Sequence, residues 1–213
     1  LSRVALAVTF ATMAGYVFAT KRFKGRDALF FSILFLMVIP REATVVPLFV
    51  IMRRFPLIGG NNIFGLGGTG FVDTYMGMIL PFAVQAFDIF VMRQFFWTMP
   101  RELEEAAKLD GANQWQIFTR IAVPFAIPGI VAVGIFSFQS AWNDFIWPLI
   151  ITRSIEMQPV QVGLQTFSSD AQQLGLWGVL LAAVVMSTIP MIVIFVIFQR
   201  YFFSGISFAG VNK

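Results

Sequence analysis

The 213-residue sequence contains no cysteine and no histidine, and only 12% of its residues are charged. Without cysteine the chain has no disulfide framework and no thiolate metal site. Without histidine it lacks the commonest general base and metal ligand. A conventional catalytic centre is therefore disfavoured, and we expect neither catalytic residues nor a metal site in this chain.

The sequence is instead rich in apolar residues, which make up 58% of it and include 26 phenylalanines. Its mean hydropathy is +0.79. Such a composition is typical of a chain surrounded mostly by lipid. Segments long enough to cross a bilayer as helices lie at residues 4–20, 28–52, about 74–97, 125–150 and 179–198. The sequence therefore predicts an all-α transmembrane protein with five spans.

Basic residues predict how these spans are oriented. The segment KRFKGR at 21–26 is strongly basic. Because successive spans alternate in direction, this segment lies on the same side of the membrane as residues 98–124 and the C-terminal segment, which carries Arg200 and Lys213. The opposite loops carry only Arg53, Arg54 and Arg153. By the positive-inside rule the first set is cytoplasmic. Residue 1 then lies outside, so we expect that an earlier span is missing from this chain.

Several shorter patterns predict local structure. Small residues recur every fourth position at Ala7, Ala11, Gly15 and Ala19, which either marks a close helix contact or arises by chance in an alanine-rich helix. GLGGTG at 65–70 fits a dinucleotide-binding pattern but lies in a loop between spans, so we interpret it as a flexible loop. No P-loop motif is present. Four tryptophans near predicted span ends are expected to be interfacial anchors: Trp97, Trp142, Trp147 and Trp177.

Residues 102–124, ELEEAAKLDGANQWQIFTRIAVP, form a charged island between two apolar runs. Pro100 suits a helix start, and good helix formers follow from Arg101 to Leu109. Asp110 and Gly111 predict a turn, after which a second amphipathic stretch stops at Pro124. A lipid-binding helix would be rich in lysine and arginine, whereas this one is acidic. A groove on a protein partner fits it better.

The island resembles the E-A-A-x3-G-x9-I-x-L-P signature of permease subunits of ATP-binding-cassette importers. The spacing is complete, with valine at position 123 in place of leucine, and the matching residues are Glu105, Ala106, Ala107, Gly111, Ile121 and Pro124. WNDFIWPLI at 142–150, PVQVGLQTF at 159–167 and ISFAGVNK at 206–213 resemble the carbohydrate-uptake branch, which is similar to the smaller membrane subunit of the maltose transporter. Members of that branch normally have six spans. The resemblance implies one permease domain over 1–213 that lacks the first helix.

The resemblance also implies a mechanism and a set of partners. The helix with the signature, within a cytoplasmic coupling element at about 99–124, would dock on a separate ATPase subunit that binds ATP and Mg. Glu105 would make a charged contact, and Asp110 and Gly111 would form the turn. The complex would hold a second permease, two ATPase subunits and an extracytoplasmic solute-binding protein, in a bacterial or archaeal cytoplasmic membrane. No chemistry and no nucleic-acid binding are expected of this chain.

Polar side chains within the predicted spans are candidates for a carbohydrate path, because such groups usually face a cavity or a partner. They comprise Gln85 and Asp88 in one span, and Gln139, Ser140, Trp142, Asn143 and Asp144 in another. Hydrogen bonding between helices is the alternative role. Arg41 and Glu42 beside Pro40 are expected to pair with each other or with another helix. An ion-gradient carrier, which would use Asp88 or Asp144, and a membrane-embedded enzyme are the competing functions.

Overall fold

The computed structural model describes the backbone of residues 1–207 and the side chains of 1–171 and 174–199. Within these residues the chain forms helices and no β-strand, which confirms the predicted all-α class. The end of the predicted cytoplasmic tail, with Lys213 and most of the ISFAGVNK segment, lies outside the described residues. The side chain of Arg200 also lies outside them.

The helices vary in length from single turns to one helix of 31 residues. Short 3-10 segments follow α2 and α4 and precede α11, and a π-helical segment, Phe118–Ala122, separates α7 from α8. In chain order the α-helices are α1 (Ser2–Thr20), α2 (Arg26–Phe35), α3 (Arg41–Arg53), α4 (Tyr75–Ile79), α5 (Ala86–Trp97), α6 (Arg101–Leu109), α7 (Gln114–Ile117), α8 (Val123–Phe125), α9 (Ile127–Trp142), α10 (Ile146–Ile151), α11 (Val160–Gln173) and α12 (Trp177–Ser207).

Two helices of the described chain are long and apolar enough to cross a membrane alone, namely α1 and the part of α12 from Trp177 to Gln199. The number rises to five if each of three helix pairs with a short break forms one span, which agrees with the five predicted spans. These pairs are α2 with α3, α4 with α5, and the α7–α8 region with α9. The predicted span 125–150 differs from the structure, because α9 ends at Trp142 and α10 is a separate helix.

By its contacts the chain divides into two compact units, which are described one at a time. Of the described residues, unit 1 contains 1–39, 83–138 and 197–207, and unit 2 contains 40–82 and 139–196. The single permease domain over 1–213 remains a prediction.

The core of unit 1 forms where α1 packs on α5. Ala7, Ala11 and Gly15 of the small-residue stripe are buried in α1, so the stripe is a packing face. Met92 on α5 lies opposite and is fully buried. A Cβ atom added at Gly15 would lie 2.5 Å from Met92 Cβ and 2.8 Å from the Arg93 backbone nitrogen, closer than real Cβ contacts allow. Only glycine therefore permits this helix separation.

We expect Gly15→Ala to destabilise the protein by roughly 1–3 kcal/mol, the usual cost of overpacking. Gly134→Ala on α9 is the matched control, because a Cβ there would meet only Val8 Cγ2 at an ordinary 3.7 Å. In a helix that change should be neutral or slightly stabilising. Thermal unfolding of the two purified variants in detergent measures the difference. Equal unfolding temperatures would contradict close packing at Gly15.

The core of unit 2 is built around Trp147 on α10. Its side chain is fully buried, its indole N–H donates a hydrogen bond of 3.0 Å to the Gly77 carbonyl, and its ring lies edge-on to Phe82 with centroids 5.7 Å apart. The prediction that Trp147 is an interfacial anchor is therefore wrong. Trp97 and Trp177, at an end of α5 and α12 respectively, are more than half exposed, as anchors should be.

The glycine-rich connection after α3 is folded by hydrogen bonds centred on Asn61. The buried Asn61 amide donates to the carbonyls of Arg53 and Phe55 at 2.8 and 3.0 Å, and its Oδ1 accepts from the Gly68 N–H at 2.8 Å. This structure differs from the flexible loop that the glycines suggest, because one amide side chain joins three parts of the connection. No strand precedes the GLGGTG segment, so a dinucleotide site is excluded there.

Candidate functional site

Residues 100–125 of unit 1 form a helix, a tight turn and a second helical stretch. Helix α6 begins after Pro100 and ends at Leu109, as its helix formers predict. At the turn Gly111 has φ +80°, a conformation that favours glycine. The Ala112 N–H donates to the Ala107 carbonyl at 2.9 Å, and the Gly111 N–H donates to the Lys108 carbonyl at 3.0 Å. Gly111 thus ends the helix and closes the turn.

The second stretch starts with a capping box at α7. The Gln116 N–H donates to Asn113 Oδ1 at 2.9 Å, and the Asn113 N–H donates to Gln116 Oε1 at 2.8 Å. The π-helical segment that follows contains Ile121 of the signature. The predicted stop at Pro124 falls one residue early, because α8 continues to Phe125. Proline is tolerated there, in the first turn of the short helix.

Helix α6 has two chemically different faces. Glu104 and Ala107 are buried against the rest of unit 1. The opposite face exposes Glu105, Ala106 and Leu109, and Leu109 is 90% exposed. The apolar side chains of Ala106 and Leu109 are therefore not packed within unit 1. Within this unit the outward face combines a carboxylate with an uncovered leucine, and neither is used for packing.

The inward face of α6 is held by Lys21, the residue that directly follows α1. Lys21 Nζ donates to Glu104 Oε1 and to Gln114 Oε1, each at 2.5 Å, and to the Tyr16 hydroxyl at 3.3 Å. Lys108 Nζ lies 3.5 Å from the same Glu104 oxygen. We call Tyr16, Lys21, Glu104, Lys108 and Gln114 the Lys21 cluster. The sequence analysis did not identify it, although the i, i+4 spacing of Glu104 and Lys108 is visible in the sequence.

The charges of the Lys21 cluster stabilise one another. Burial alone would raise the pKa of the Glu104 carboxyl, but its interactions with Lys21 and Lys108 outweigh burial and lower that pKa below its ordinary value. Burial alone would lower the pKa of Lys21, but hydrogen bonds to Glu104 and Tyr16 outweigh it and raise that pKa. Lys21 and Glu104 therefore form an ion pair at neutral pH.

Two predicted substrate-path residues, Gln85 and Asp88, belong to unit 1. Gln85 is the residue before α5, and its carbonyl accepts from the Asp88 N–H at 3.1 Å. The buried Asp88 carboxylate accepts a hydrogen bond of 3.2 Å from the Ser137 hydroxyl on α9. This bond is of the helix-to-helix kind, which is the alternative role that the sequence leaves open.

The other predicted path residues belong to unit 2, where three of them meet. Ser140, Asn143 and Asp144 line a cavity of about 410 Å³ together with Arg41 and Glu42 at the start of α3. Arg41 Nη2 pairs with Asp144 Oδ2 at 2.5 Å, and Asp144 lies between α9 and α10 instead of within a helix as the sequence analysis expects of a partner outside the Arg41–Glu42 segment.

Gln139 and Trp142 do not line this cavity. Gln139 is exposed, and the Trp142 indole donates to the Ser187 carbonyl on α12 at 3.0 Å. Since α9 ends at Trp142, Asn143 and Asp144 follow the helix and do not extend its face.

The sequence and the fold both resemble known transport proteins. Residues 7–208 match the family described as binding-protein-dependent transport system inner membrane component. The arabinooligosaccharides transport system permease protein AraQ of Halalkalibacterium halodurans is 35% identical over 98% of this chain and 69% of its own length. The diacetylchitobiose uptake system permease protein NgcG of Streptomyces coelicolor is 29% identical over 97% of this chain and 65% of its own length.

A chain in the crystal structure of a bacterial ABC transporter involved in the import of the acidic polysaccharide alginate is 29% identical. It superimposes with a TM-score of 0.78 over 94% of this chain and 70% of its own. The helical fold, the apolar spans and the exposed helix-turn-helix define a membrane permease subunit. The chain belongs to the family of binding-protein-dependent transport system inner membrane components.

Proposed function

We propose that this chain is the permease subunit of an ATP-driven carbohydrate importer and that the outward face of α6 docks on a separate ATPase subunit. The observation that carries the docking proposal is the split between the two faces of α6. Glu104 and Ala107 are buried within unit 1, whereas Glu105, Ala106 and Leu109 are exposed. An amphipathic helix with an uncovered leucine beside a carboxylate suits a partner groove with basic groups.

The turn supports the same proposal. Gly111 adopts a positive φ, and a Cβ built on it would have no atom within 4 Å apart from those of Gly111 and its chain neighbours. Its role is therefore conformational, since glycine alone reaches this turn without strain. Asp110 is exposed next to it, Ile121 lies in the π-helical segment, and Pro124 lies in the first turn of α8. The signature residues then shape and orient one short docking helix.

Carbohydrate as the substrate is supported by the relatives whose names state arabinooligosaccharide or diacetylchitobiose transport and by the alginate importer. In this chain the cavity of unit 2 offers suitable chemistry. Ser140, Asn143 and the Arg41–Asp144 pair provide donors and acceptors for sugar hydroxyls, and Phe145 adds an aromatic side chain to the lining. We propose this cavity as the chain's own contribution to the carbohydrate path.

The complete importer would require components that this chain does not supply. ATP and Mg would bind to two ATPase subunits, and a second permease and an extracytoplasmic solute-binding protein would complete the complex. The chain would lie as a multi-pass protein in a bacterial or archaeal cytoplasmic membrane. By the distribution of basic residues, α6 and the C-terminus face the cytoplasm.

A pull-down from native membranes tests the docking proposal. The tagged full-length protein is purified in mild detergent, and the co-purifying proteins are identified by mass spectrometry. With the wild-type protein we expect a P-loop ATPase and a second permease. Glu105→Lys and Gly111→Pro should lose the ATPase, because the first reverses the docking charge and the second cannot adopt φ near +80°.

The matched control is Glu156→Lys, which makes the same charge change at an exposed residue between α10 and α11, on the predicted opposite side of the membrane. It should retain the ATPase. If Glu105→Lys and Gly111→Pro also retain it, α6 is not the docking element. A wild-type protein that purifies alone, with uptake that follows a proton or sodium gradient, would favour the ion-gradient carrier instead.

A further inference from the structure

Three elements of unit 1 meet at the Nζ atom of Lys21. Lys21 follows α1, Glu104 lies on α6, and Gln114 is the first residue of α7. Both contacts of Lys21 to α6 and α7 are 2.5 Å long, and they join residues 83 and 93 positions apart in the chain. The lysine therefore ties the end of a membrane span directly to both helices of the helix-turn-helix.

Tyr16 extends this connection into the core of unit 1. Its hydroxyl accepts from Lys21 at 3.3 Å, and it lies 3.4 Å from Glu104 Oε1, to which it donates. Its ring lies edge-on to Phe96 of α5, with centroids 5.4 Å apart, and 5.1 Å from the ring centroid of Phe118 in the π-helical segment. Direct contacts therefore connect α6 to α1 and, through the Tyr16 ring, to α5.

The two carboxylates at positions 104 and 105 have opposite surroundings. Glu104 is buried and held by two lysines, whereas Glu105 is exposed on the proposed docking face. Glu105 is therefore available to a partner, whereas Glu104, the residue before it, contacts Lys21 at the end of the span α1. The pair between the buried Glu104 and the partly buried Lys21 is short and charge-assisted, so it is stronger and better oriented than a fully exposed pair and can transmit a displacement.

We propose that Lys21 is the positioning residue that couples movement of the helix-turn-helix to α1, through its bonds to Glu104 and Gln114. This inference rests on the proposed docking of α6 on an ATPase. When α6 is displaced, Lys21 draws the end of α1 with it. Without Lys21 the ATPase still docks on Glu105 and Leu109, but α1 no longer follows.

The absence of cysteine from this chain permits a direct test of α1 movement. Phe10, Met13 and Val17 are exposed on α1 and are replaced by cysteine one at a time in the full-length protein, purified with its partners and placed in nanodiscs. Labelling by a maleimide is measured on the separated band of this chain, without nucleotide and with ATP and vanadate. In the wild-type background we expect the rate at one of these positions to change about fivefold or more, the lower end of coupling between two sites.

In the Lys21→Met background most of this change should be lost while the ATPase still co-purifies. Lys21→Arg, which keeps the charge and the donors, should restore part of it. Glu104→Gln removes the charge with little change in volume and gives a second disruption if Lys21→Met folds poorly. Lys24→Met is the matched control, because Lys24 is exposed in the same basic segment and should leave the change intact.

Three outcomes would overturn the proposal. The first is an unchanged nucleotide response in both Lys21→Met and Glu104→Gln. The second is a wild-type protein in which none of the three α1 positions responds. The third is an equal loss of response in Lys24→Met. If the wild-type chain carries no ATPase at all, the proposed function fails and this inference with it, which distinguishes the two failures.

Discussion

Trp147→Ala should destabilise the protein by about 3–5 kcal/mol, the range measured for truncating large buried aromatic side chains. Its indole is fully buried among Val45, Met52, Val72 and Ile151 in unit 2. The substitution leaves a cavity there and removes the hydrogen bond to the Gly77 carbonyl. We expect a much lower unfolding temperature in detergent, and a reduced yield of folded protein.

Two further variants separate the causes of this loss. Trp147→Phe keeps most of the apolar volume and removes the indole N–H, so it should cost less than Trp147→Ala. Trp177→Ala is the matched control, because Trp177 is 56% exposed, and it should change stability by no more than about 0.5 kcal/mol. If Trp147→Ala is as mild as Trp177→Ala, Trp147 does not anchor the core of unit 2.

Helix positions in this chain could be predicted well where hydrophobicity alone decides them. Long apolar runs specify spans because the lipid leaves every backbone group to be paired within the helix. Helix α6 was predicted at its observed bounds, since Pro100 and Gly111 mark its two ends. Helix α11 was not predicted. Its glutamines and serines interrupt the apolar periodicity that indicates a helix, and buried residues such as Val162 and Ala171 lie far apart in it.

Contacts between distant residues could not be predicted from composition. Trp147 and Trp177 both lie near predicted span ends in the sequence, but the fold buries Trp147 and leaves Trp177 exposed. The same holds for Asp73 beside α4, whose carboxylate accepts hydrogen bonds from the backbone N–H groups of Arg153 and Ser154 at 2.8 and 3.1 Å. Those hydrogen bonds lower the pKa of the Asp73 carboxyl. No local sequence pattern predicts them, because the bonded residues are 80 and 81 positions apart in the chain.

The candidate site was predicted in part for the same reason. The signature predicted Glu105 on a helix and Gly111 at the turn that follows it, because that spacing is local, and the structure agrees. Which face of α6 points inward depends on Lys21, about 80 residues earlier in the chain. The inward contacts of Glu104 were therefore not predicted.

The Arg41–Asp144 pair in the cavity of unit 2 provides the second large effect. The Asp144 side chain is only 5% exposed, whereas that of Arg41 is 38% exposed and its guanidinium lies 4.0 Å from the ring centroid of Phe82. Removing one partner of a buried ion pair costs about 3–5 kcal/mol, because the other charge is left without compensation. The two single variants should therefore differ.

Arg41→Met should be the more damaging, since it leaves the buried Asp144 carboxylate without its cation. Asp144→Asn should cost less, because Arg41 keeps its contact with Phe82 and reaches water. Arg41→Met/Asp144→Asn should be more stable than Arg41→Met, since the double variant no longer buries the Asp144 charge without Arg41. Unfolding temperatures of the three purified variants and the wild type complete the double-mutant cycle.

The order of these variants also bears on what the cavity binds. If stability falls most in Arg41→Met, the Arg41–Asp144 pair contributes to stability, and an ion-gradient carrier that uses Asp144 would have to break that pair in each cycle. The cavity would then present a fixed, internally compensated set of donors and acceptors, as neutral sugar hydroxyls require. If Arg41→Met and Asp144→Asn are equally mild, the pair is not energetically formed, and Asp144 remains available for proton or sodium coupling.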